Sequence, residues 1–363
     1  MARVLHQRDF VPKQVTHSLK QIRLGYCKPS RDTLWAIFHA VEDGEVGQGR
    51  HVAAFEEAFA ARIGRKYAIA CASGTASLTV ALAAIRGRRR RSWEPPAYMR
   101  ADSFVAVPNA AFAAGFRRFA FHDIDTTPEP TGGALHIAVD VMGVPEPIGP
   151  LTLLEDFSEA LGSVAPSGLQ CGARGTLCAI TSFFVTHLVT AGEGGAIVTD
   201  DEGFADDCRS LRDHGRWGPE PDRRLAAPGF NAKMTTIEAL LAMDSLDKLD
   251  EKMEARRGNA IYLDSLLGQK WVKPGVIPHG YPIFTAKDQA ERNTKLEALA
   301  AAGIEARPYF PCLPRSTWVD KYTYGIGNQW PVSEHYGEVG YYVPVHEGVS
   351  REDCERMAEI VSA

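Results

Sequence analysis

The chain has 363 residues, a net charge of -5, 45% apolar residues and 23% charged residues. This composition is typical of a soluble globular protein rather than a disordered or fibrous one, and the length allows one large and one smaller domain, or two of similar size. No apolar run approaches the roughly 18 residues of a membrane helix and the N-terminus lacks the apolar core of a signal peptide, so we expect a cytoplasmic protein without a membrane segment.

Taken in order, the chain divides into an irregular arm (1–24), a large α/β domain (25–245) and a smaller C-terminal α+β domain (246–363). Helical spacing predicts a first helix over 29–41 and, after a glycine-rich loop, an amphipathic helix that carries Val52, Phe55, Phe59 and Ile63 on one face. The large domain continues with a strand over 67–71 and a helix over 78–85.

A possible phosphate site lies between that strand and that helix, in the sequence ASGTAS that contains Gly74 and Thr75. A strand that breaks into S-G-T and starts a helix presents free backbone N–H groups at the positive end of the helix dipole. The alternative is an ordinary capped helix, because Ser and Thr are common N-caps.

An arginine run, Arg86–Arg91 with one non-arginine at position 87, follows this helix. Such a run is usually a solvated loop, although it would also attract a nucleotide diphosphate or a nucleic-acid backbone. The seven cysteines are odd in number and scattered without C-x-x-C, so we expect reduced thiols, no disulfide framework and no zinc or other metal site.

Strands are predicted over 116–123, 135–141 and 151–155, after a short helix or loop over 103–115. Asp156 follows the third of these strands, at the edge where open α/β sheets bind ligands, and a carboxylate there can hold a protonated heterocyclic nitrogen. The alternative is a helix N-cap. The connection at 142–150 is short for a parallel crossover, which indicates that a helix is absent there.

Two apolar β-like runs, 177–185 and 196–199, flank a polar step at His187 and the glycine-rich turn GEGG. Taken alone, this stretch is a hairpin with a surface histidine. A helix is predicted over 203–214 and a long one over 235–259. The C-terminal domain is predicted to contain strands near 281–285, 305–309 and 341–345 and helices near 288–302 and 350–361.

Several of these stretches together resemble the DegT/StrS sugar aminotransferase family, notably EDFSEALGS, SFFVTHLVTAGEGGAIVTDD and GFNAKMTTIEALL. The resemblance implies a PLP-dependent transferase of fold type I, with a mostly parallel sheet and pyridoxal phosphate (PLP) as cofactor. It further implies that the molecule is a homodimer in which one asparagine reaches the neighbouring subunit's cofactor. The implied cofactor contacts are Gly74, Thr75 and Ser182 to phosphate, Phe104 stacked on the ring, Asp156 at the ring nitrogen, and Asn231 across the dimer.

The main departure from the family pattern is His187, which occupies the place of the Schiff-base lysine without a gap in the motif. A histidine there is found in the branch that resembles GDP-4-keto-6-deoxymannose 3-dehydratase. That likeness implies C–O elimination on a nucleotide-linked 4-keto-6-deoxysugar, with pyridoxamine phosphate (PMP) as the working cofactor, L-glutamate as the amino donor and His187 as the catalytic base. Glu159 in EALGS is similar to an acidic residue of that branch, expected near the ring oxygen; otherwise it is a helix-surface charge.

Other interpretations remain open at this point. Cys171 and Cys178 do not reproduce the cysteine spacing of the iron-sulfur dehydratases, and Asp140 stands where the family usually has histidine. The arginine run would suit a PLP-dependent decarboxylase or lyase acting on an amino-acid adduct or a modified nucleic-acid base. A non-catalytic, cofactor-binding relic is a further alternative, and Lys233 is the nearest candidate for a displaced Schiff-base lysine.

Overall fold

The structure is a computed structural model that describes residues 21–89, 94–130, 133–218, 224–324 and 329–363. Most of the predicted arm, 1–24, therefore lies outside the described residues, as do Arg90 and Arg91 of the arginine run. At the described end of the arm, Ile22 is buried and forms a β-bridge with Ile304 in the C-terminal part.

A mostly parallel sheet forms the centre of the large domain. Its strands are β1 (Tyr67–Cys71), β2 (Ala97–Arg100), β3 (Phe119–His122), β4 (Leu135–Val139), β5 (Thr152–Asp156), β6 (Cys178–Ser182) and β7 (Gly195–Thr199). Their order is β1-β7-β6-β5-β4-β2-β3, and β7 is antiparallel to both of its neighbours. The predicted fold class is confirmed.

Helices cover both faces of this sheet. They are α1 (Arg31–Glu42), α2 (Arg50–Ile63), α3 (Gly74–Gly87), α4 (Ala106–Ala113), α5 (Glu202–Arg212) and α6 (Thr236–Asp247). Successive residues of a strand point to opposite faces of the sheet. In β7, Ile197 packs in the core formed with α3, α4 and α5, whereas Ala196 and Val198 pack in the core formed with α2 and α6. Burial on both faces explains why the strands are apolar runs rather than alternating ones.

The connection between the parallel neighbours β4 and β5 lacks an α-helix, as the sequence predicted. Residues 140–151 contain a single 3-10 turn, Val141–Gly143, in which Met142 adopts a left-handed φ of 55°. At Gly143, with φ of 90°, a Cβ would lie 2.2 Å from the carbonyl oxygen of Ile277. Close backbone contact with the C-terminal part thus fixes this turn.

The C-terminal part contains a small three-stranded antiparallel sheet, in which the last strand of the chain lies between the other two. Its elements are α7 (Leu249–Leu267), β10 (Tyr281–Ile283), α8 (Gln289–Ala301), β11 (Arg307–Pro308), α9 (Pro331–Val339), β12 (Tyr341–Val343) and α10 (Arg351–Ser362), and a short hairpin of β8 (Arg216–Trp217) and β9 (Arg224–Leu225) precedes them. Tyr281, Tyr341 and Met357 are fully buried in its core. Within the described ranges, no helix has the length and apolar character needed to cross a membrane.

Three local predictions were wrong or incomplete. The single helix expected over 235–259 is two helices, α6 and α7, which meet at Lys248. Neither glycine nor proline is present at this junction, so the local sequence gave no breaker signal. The sequence also did not reveal β2, which begins directly after Pro95 and Pro96, or α9, whose first residue is Pro331.

Candidate functional site

A cavity of about 260 Å³ lies at the carboxyl ends of β5 and β6, between the large sheet and the C-terminal part. Eight of the residues singled out in the sequence line it: Gly74, Thr75, Phe104, Asp140, Asp156, Glu159, Ser182 and His187. The topology explains why they meet, since the carboxyl ends of neighbouring parallel strands share one edge of the sheet.

One end of the cavity is formed by the first turn of α3. Ser73 caps this helix by accepting a hydrogen bond from the Ala76 amide at 3.0 Å, whereas the Gly74 and Thr75 amides belong to the first turn, which has no intrahelical acceptors. The backbones here are too close for side chains: a Cβ at Gly74 would lie 2.6 Å from Ser182 Cβ, and a Cβ at Gly195 would lie 2.6 Å from the Ser73 carbonyl. The result is a cradle of helix amides and a serine hydroxyl, an arrangement that is suited to binding an anion.

Asp156 ends β5 and faces the cavity. Its Oδ1 accepts hydrogen bonds from the Ser158 amide at 3.1 Å and the Ser158 hydroxyl at 2.6 Å. Burial raises the pKa of Asp156 to about 6 despite these two hydrogen bonds. A cationic group bound in the cavity would lower this pKa and stabilise the ionised carboxylate.

Glu159 lies one turn beyond Asp156, and its Oε2 accepts a hydrogen bond from the Met142 amide at 2.7 Å. The left-handed conformation of Met142 thus delivers a backbone donor to the cavity wall. The other carboxyl oxygen of Glu159, Oε1, lies 3.7 Å from His279 Nε2. Burial, with a smaller contribution from the charge of Asp156, raises the pKa of Glu159 to about 8, so this carboxyl group is protonated at neutral pH.

His187 lies in the cavity wall. Burial and the guanidinium of Arg256 lower the pKa of His187 to about 3, against a hydrogen bond with the Ser158 backbone, so the imidazole is neutral at physiological pH. Its Nδ1 is buried without a hydrogen-bond partner among the described residues. The ring lies 5.0 Å from that of His279, between centroids.

Several functional candidates come from distant parts of the chain that the sequence analysis did not single out. Arg256 of α7 donates hydrogen bonds to the carbonyls of Thr186 and His279, at 2.7 and 2.8 Å, and so connects the His187 segment with the approach to β10. Further lining residues are Glu193, Arg307, Phe310 and Tyr342. Glu193 lies in the glycine-rich GEGG turn. No periodicity or motif marks the other positions, because their role depends on how the C-terminal part packs on the sheet.

Three residues from the sequence predictions, Phe104, Asn231 and Lys233, lie away from the cavity or at its margin. Phe104 is 55% exposed and its ring meets Phe310 edge-on at 6.0 Å. Asn231 is exposed and does not line the cavity of its own subunit. Lys233 Nζ bonds to Asp213 Oδ1 at 2.7 Å, and there is no lysine among the described residues that line the cavity.

Comparison with known proteins identifies a single family. The sequence profile of the DegT/DnrJ/EryC1/StrS aminotransferase family matches residues 31–130 and 149–362, which leaves out most of the helix-free β4–β5 connection. A GDP-perosamine synthase from Caulobacter vibrioides is 29% identical over 354 residues, covering 85% of this chain and 88% of that protein.

Solved structures show the same fold. GDP-4-keto-6-deoxy-D-mannose-3-dehydratase from E. coli, with bound hydrated PLP, superposes with a TM-score of 0.82 at 22% identity, covering 95% of this chain and 100% of that chain. Helicobacter pylori PseC, an aminotransferase of pseudoaminic acid biosynthesis, gives 0.80 at 21% identity, covering 94% and 98%. The similar proteins thus include both a dehydratase and aminotransferases.

Proposed function

The chain belongs to the DegT/DnrJ/EryC1/StrS aminotransferase family, whose cofactor is PLP, and within it we propose a 3-dehydratase acting on a nucleotide-linked 4-keto-6-deoxysugar. The observation that carries this proposal is a neutral histidine, His187, in a cavity wall whose described residues include no lysine. Imidazole can move a proton but cannot form the covalent link that lysine makes with the cofactor.

The cavity fits the cofactor at its phosphate end. The amides of Gly74 and Thr75 and the hydroxyl of Ser182 supply donors at a helix N-terminus. The close backbone approach at Gly74 and Gly195 keeps side chains out of this cradle. We assign these groups to the phosphate of PLP or PMP.

The ring end of the cofactor fits the two carboxyl groups. Asp156 would hold the protonated ring nitrogen, because a cation there lowers its raised pKa and keeps it ionised. Glu159, protonated at neutral pH, would donate a hydrogen bond to the ring oxygen. Phe104 would cover the ring. The bound cofactor supplies an electron sink for the reaction.

His187 would then carry the proton. Its unpartnered Nδ1 is available to accept a proton, and an anionic ligand in the cavity would offset Arg256 and raise the pKa of His187 towards the working pH. Returning the proton to the departing C3 hydroxyl would release water. L-Glutamate would supply the amino group that converts PLP to PMP.

An aminotransferase is the second candidate, favoured by the 29% identity to a GDP-perosamine synthase. The proposal of a nucleic-acid substrate has less support, since Arg88 of the arginine run is engaged by Asp201 and Asp207, at 3.2 and 2.6 Å. A relic is disfavoured by the retention of Asp156, Ser182 and His187 around one cavity.

A homodimer is part of the proposal. The α1 helix exposes four large apolar side chains, each between 49% and 53% accessible: Leu34, Trp35, Phe38 and Val41. An apolar helix face of this kind is typical of a subunit interface. Asn231, exposed and outside its own cavity, is free to reach the partner's cofactor in such a dimer.

The test uses the purified chain with PLP, L-glutamate and GDP-4-keto-6-deoxymannose. We expect bound PMP after glutamate, no protein adduct fixed by borohydride, and a sugar product that has lost the C3 oxygen. His187→Asn should retain cofactor binding and lose turnover by about 100-fold or more. His187→Lys should gain a borohydride-fixed adduct at position 187.

Two results would contradict the proposal. A stable amino sugar as the main wild-type product would make the chain an aminotransferase. A lysine of the wild type trapped by borohydride would mean that a lysine elsewhere in the chain takes the place of the Schiff-base lysine. Peptide mass spectrometry of the reduced protein identifies that lysine, with Lys233→Gln as the control variant.

A further inference from the structure

A second cluster of polar side chains lies apart from the catalytic cavity, at β3, β4 and the β4–β5 connection. His122 Nε2 and His136 Nε2 both point to one oxygen, Glu146 Oε1, at 3.1 and 2.8 Å. All three residues are buried, with 7%, 1% and 3% of their surfaces exposed. The cysteine spacing examined in the sequence could not have revealed this cluster.

A neutral His122 ring cannot form hydrogen bonds through both of its nitrogen contacts. Its Nδ1 lies 3.0 Å from the carbonyl oxygen of Asp123, which can only accept, so Nδ1 carries the hydrogen. The other nitrogen, Nε2, then presents a lone pair to a carboxylate oxygen of Glu146. A favourable contact between these two atoms requires a positive centre: a second proton on the ring or a metal ion.

The remaining atoms of the cluster are anchored in the manner of metal ligands. His136 Nδ1 lies 2.7 Å from Thr152 Oγ1, and the Val139 amide donates to Glu146 Oε2 at 2.8 Å. Each candidate ligand therefore has its second polar atom held by a neighbouring group. Such outer hydrogen bonds fix the orientation of ligating imidazoles and carboxylates in known metal sites.

We propose that His122, His136 and Glu146 bind a divalent transition-metal ion, for which Zn²⁺ and Co²⁺ are the probes. Two imidazole nitrogens and one carboxylate oxygen are a ligand set that such ions prefer. The ligand atoms of the three residues lie within 4.8 Å of one another. In the metal-bound site both imidazoles are neutral and carry their hydrogen on Nδ1, beside the Asp123 carbonyl and Thr152 Oγ1. His122 therefore releases its second proton to solvent, and His136 carries its hydrogen on Nδ1 instead of Nε2.

The surroundings are compatible with a bound cation. A neighbouring cavity of about 190 Å³ is lined by His122 and Glu146 and has room for a water molecule as a further ligand. The nearby guanidinium of Arg100 is neutralised by a bidentate pair with Asp102, at 2.7 and 2.8 Å. The repulsion between Arg100 and the ion is thereby reduced.

The position of the site indicates what the ion does. Glu146 lies in the helix-free connection at 140–151, so a metal bond to His122 and His136 ties this segment to β3 and β4. The same connection carries Met142, whose amide holds Glu159 in the catalytic cavity. The ion therefore stabilises the connection that shapes the cavity wall, independently of which reaction the cavity performs.

The experiment titrates tag-free, chelator-treated protein with Co²⁺ and follows visible absorption and bound metal. We expect about one ion per chain in the wild type, at least about 10-fold weaker binding in His122→Asn and in Glu146→Gln, and displacement by Zn²⁺. The matched control His335→Asn, at an exposed histidine of α9, should bind like the wild type. Zn²⁺ should also raise the unfolding temperature of the wild type.

X-ray absorption on the wild-type Zn²⁺ complex keeps the proposal testable if the variants do not fold. Imidazole scattering from two ligands with no sulfur is expected. The proposal is overturned if the wild type takes up no more metal than the two cluster variants, which would identify a protonated His122 paired with Glu146. Metal bound through sulfur would overturn it equally.

Discussion

The raised pKa of Glu159 makes a quantitative prediction about stability. Glu159 has a pKa of about 8 in the folded chain, against an ordinary value of 4.5 for a glutamic acid. Between these values it is neutral in the folded chain but ionised in the unfolded chain, so it lowers the free energy of unfolding as pH rises through this range. The penalty is absent below about pH 4.5 and complete above about pH 8. At about 1.36 kcal/mol per pKa unit, it grows by roughly 3 to 4 kcal/mol between pH 5 and pH 8.

Glu159→Gln removes this penalty and retains an oxygen that can accept the Met142 hydrogen bond. Urea unfolding of the cofactor-free protein at pH 5, 6, 7 and 8 should show the variant gaining stability over the wild type as pH rises. Asp156 titrates in both proteins and largely cancels in the difference. Glu57→Gln, at an exposed glutamate of α2, is the matched control and should show no such trend.

The reasoning is refuted if the stability difference between Glu159→Gln and the wild type does not change with pH, or if it falls as pH rises. A flat difference would mean that Glu159 is solvated well enough to ionise normally in the folded chain. A falling one would mean that a cation, such as a protonated His279 at 3.7 Å, holds the carboxylate charged.

Two other predictions concern the buried charges and the subunit interface. Arg174→Met should lower the free energy of unfolding by about 3 to 5 kcal/mol near neutral pH. The reason is that Arg174 pairs in a buried site with Glu155 at 2.9 Å and with Asp140 at 2.7 Å. Urea unfolding measures the loss, and a loss below about 1 kcal/mol would contradict the prediction. Sedimentation should show a wild-type dimer that Trp35→Ser with Phe38→Ser shifts towards monomer; a wild-type monomer at micromolar concentration would exclude the interface.

The sequence predicted those parts of the site that depend on local structure. Gly74 and Thr75 follow a strand and begin a helix, and Asp156 ends a strand, so each could be placed at the sheet edge from neighbouring residues alone. The absence of a β4–β5 helix was equally visible, as a count of residues between two strands. These features need no knowledge of the rest of the chain.

Other parts of the site depend on contacts between distant segments and could not be predicted. Arg256 and His279 meet the His187 segment only because α7 and β10 pack against the large sheet, and nothing in their flanking sequence marks them. The break at Lys248 lacks a proline or glycine. The histidine–glutamate cluster joins a strand end, a strand and a loop, and its spacing matches no short motif.

The electrostatics of the cavity favour a neutral group at position 187. Burial keeps Glu159 protonated and His187 neutral, so these two residues add no charge of their own to the cavity wall at neutral pH. A lysine at position 187 would meet the same burial and the same Arg256, which would favour its neutral amine. Under the proposed function, exchanging lysine for histidine would remove the covalent link to the cofactor without leaving an unpaired charge at this position.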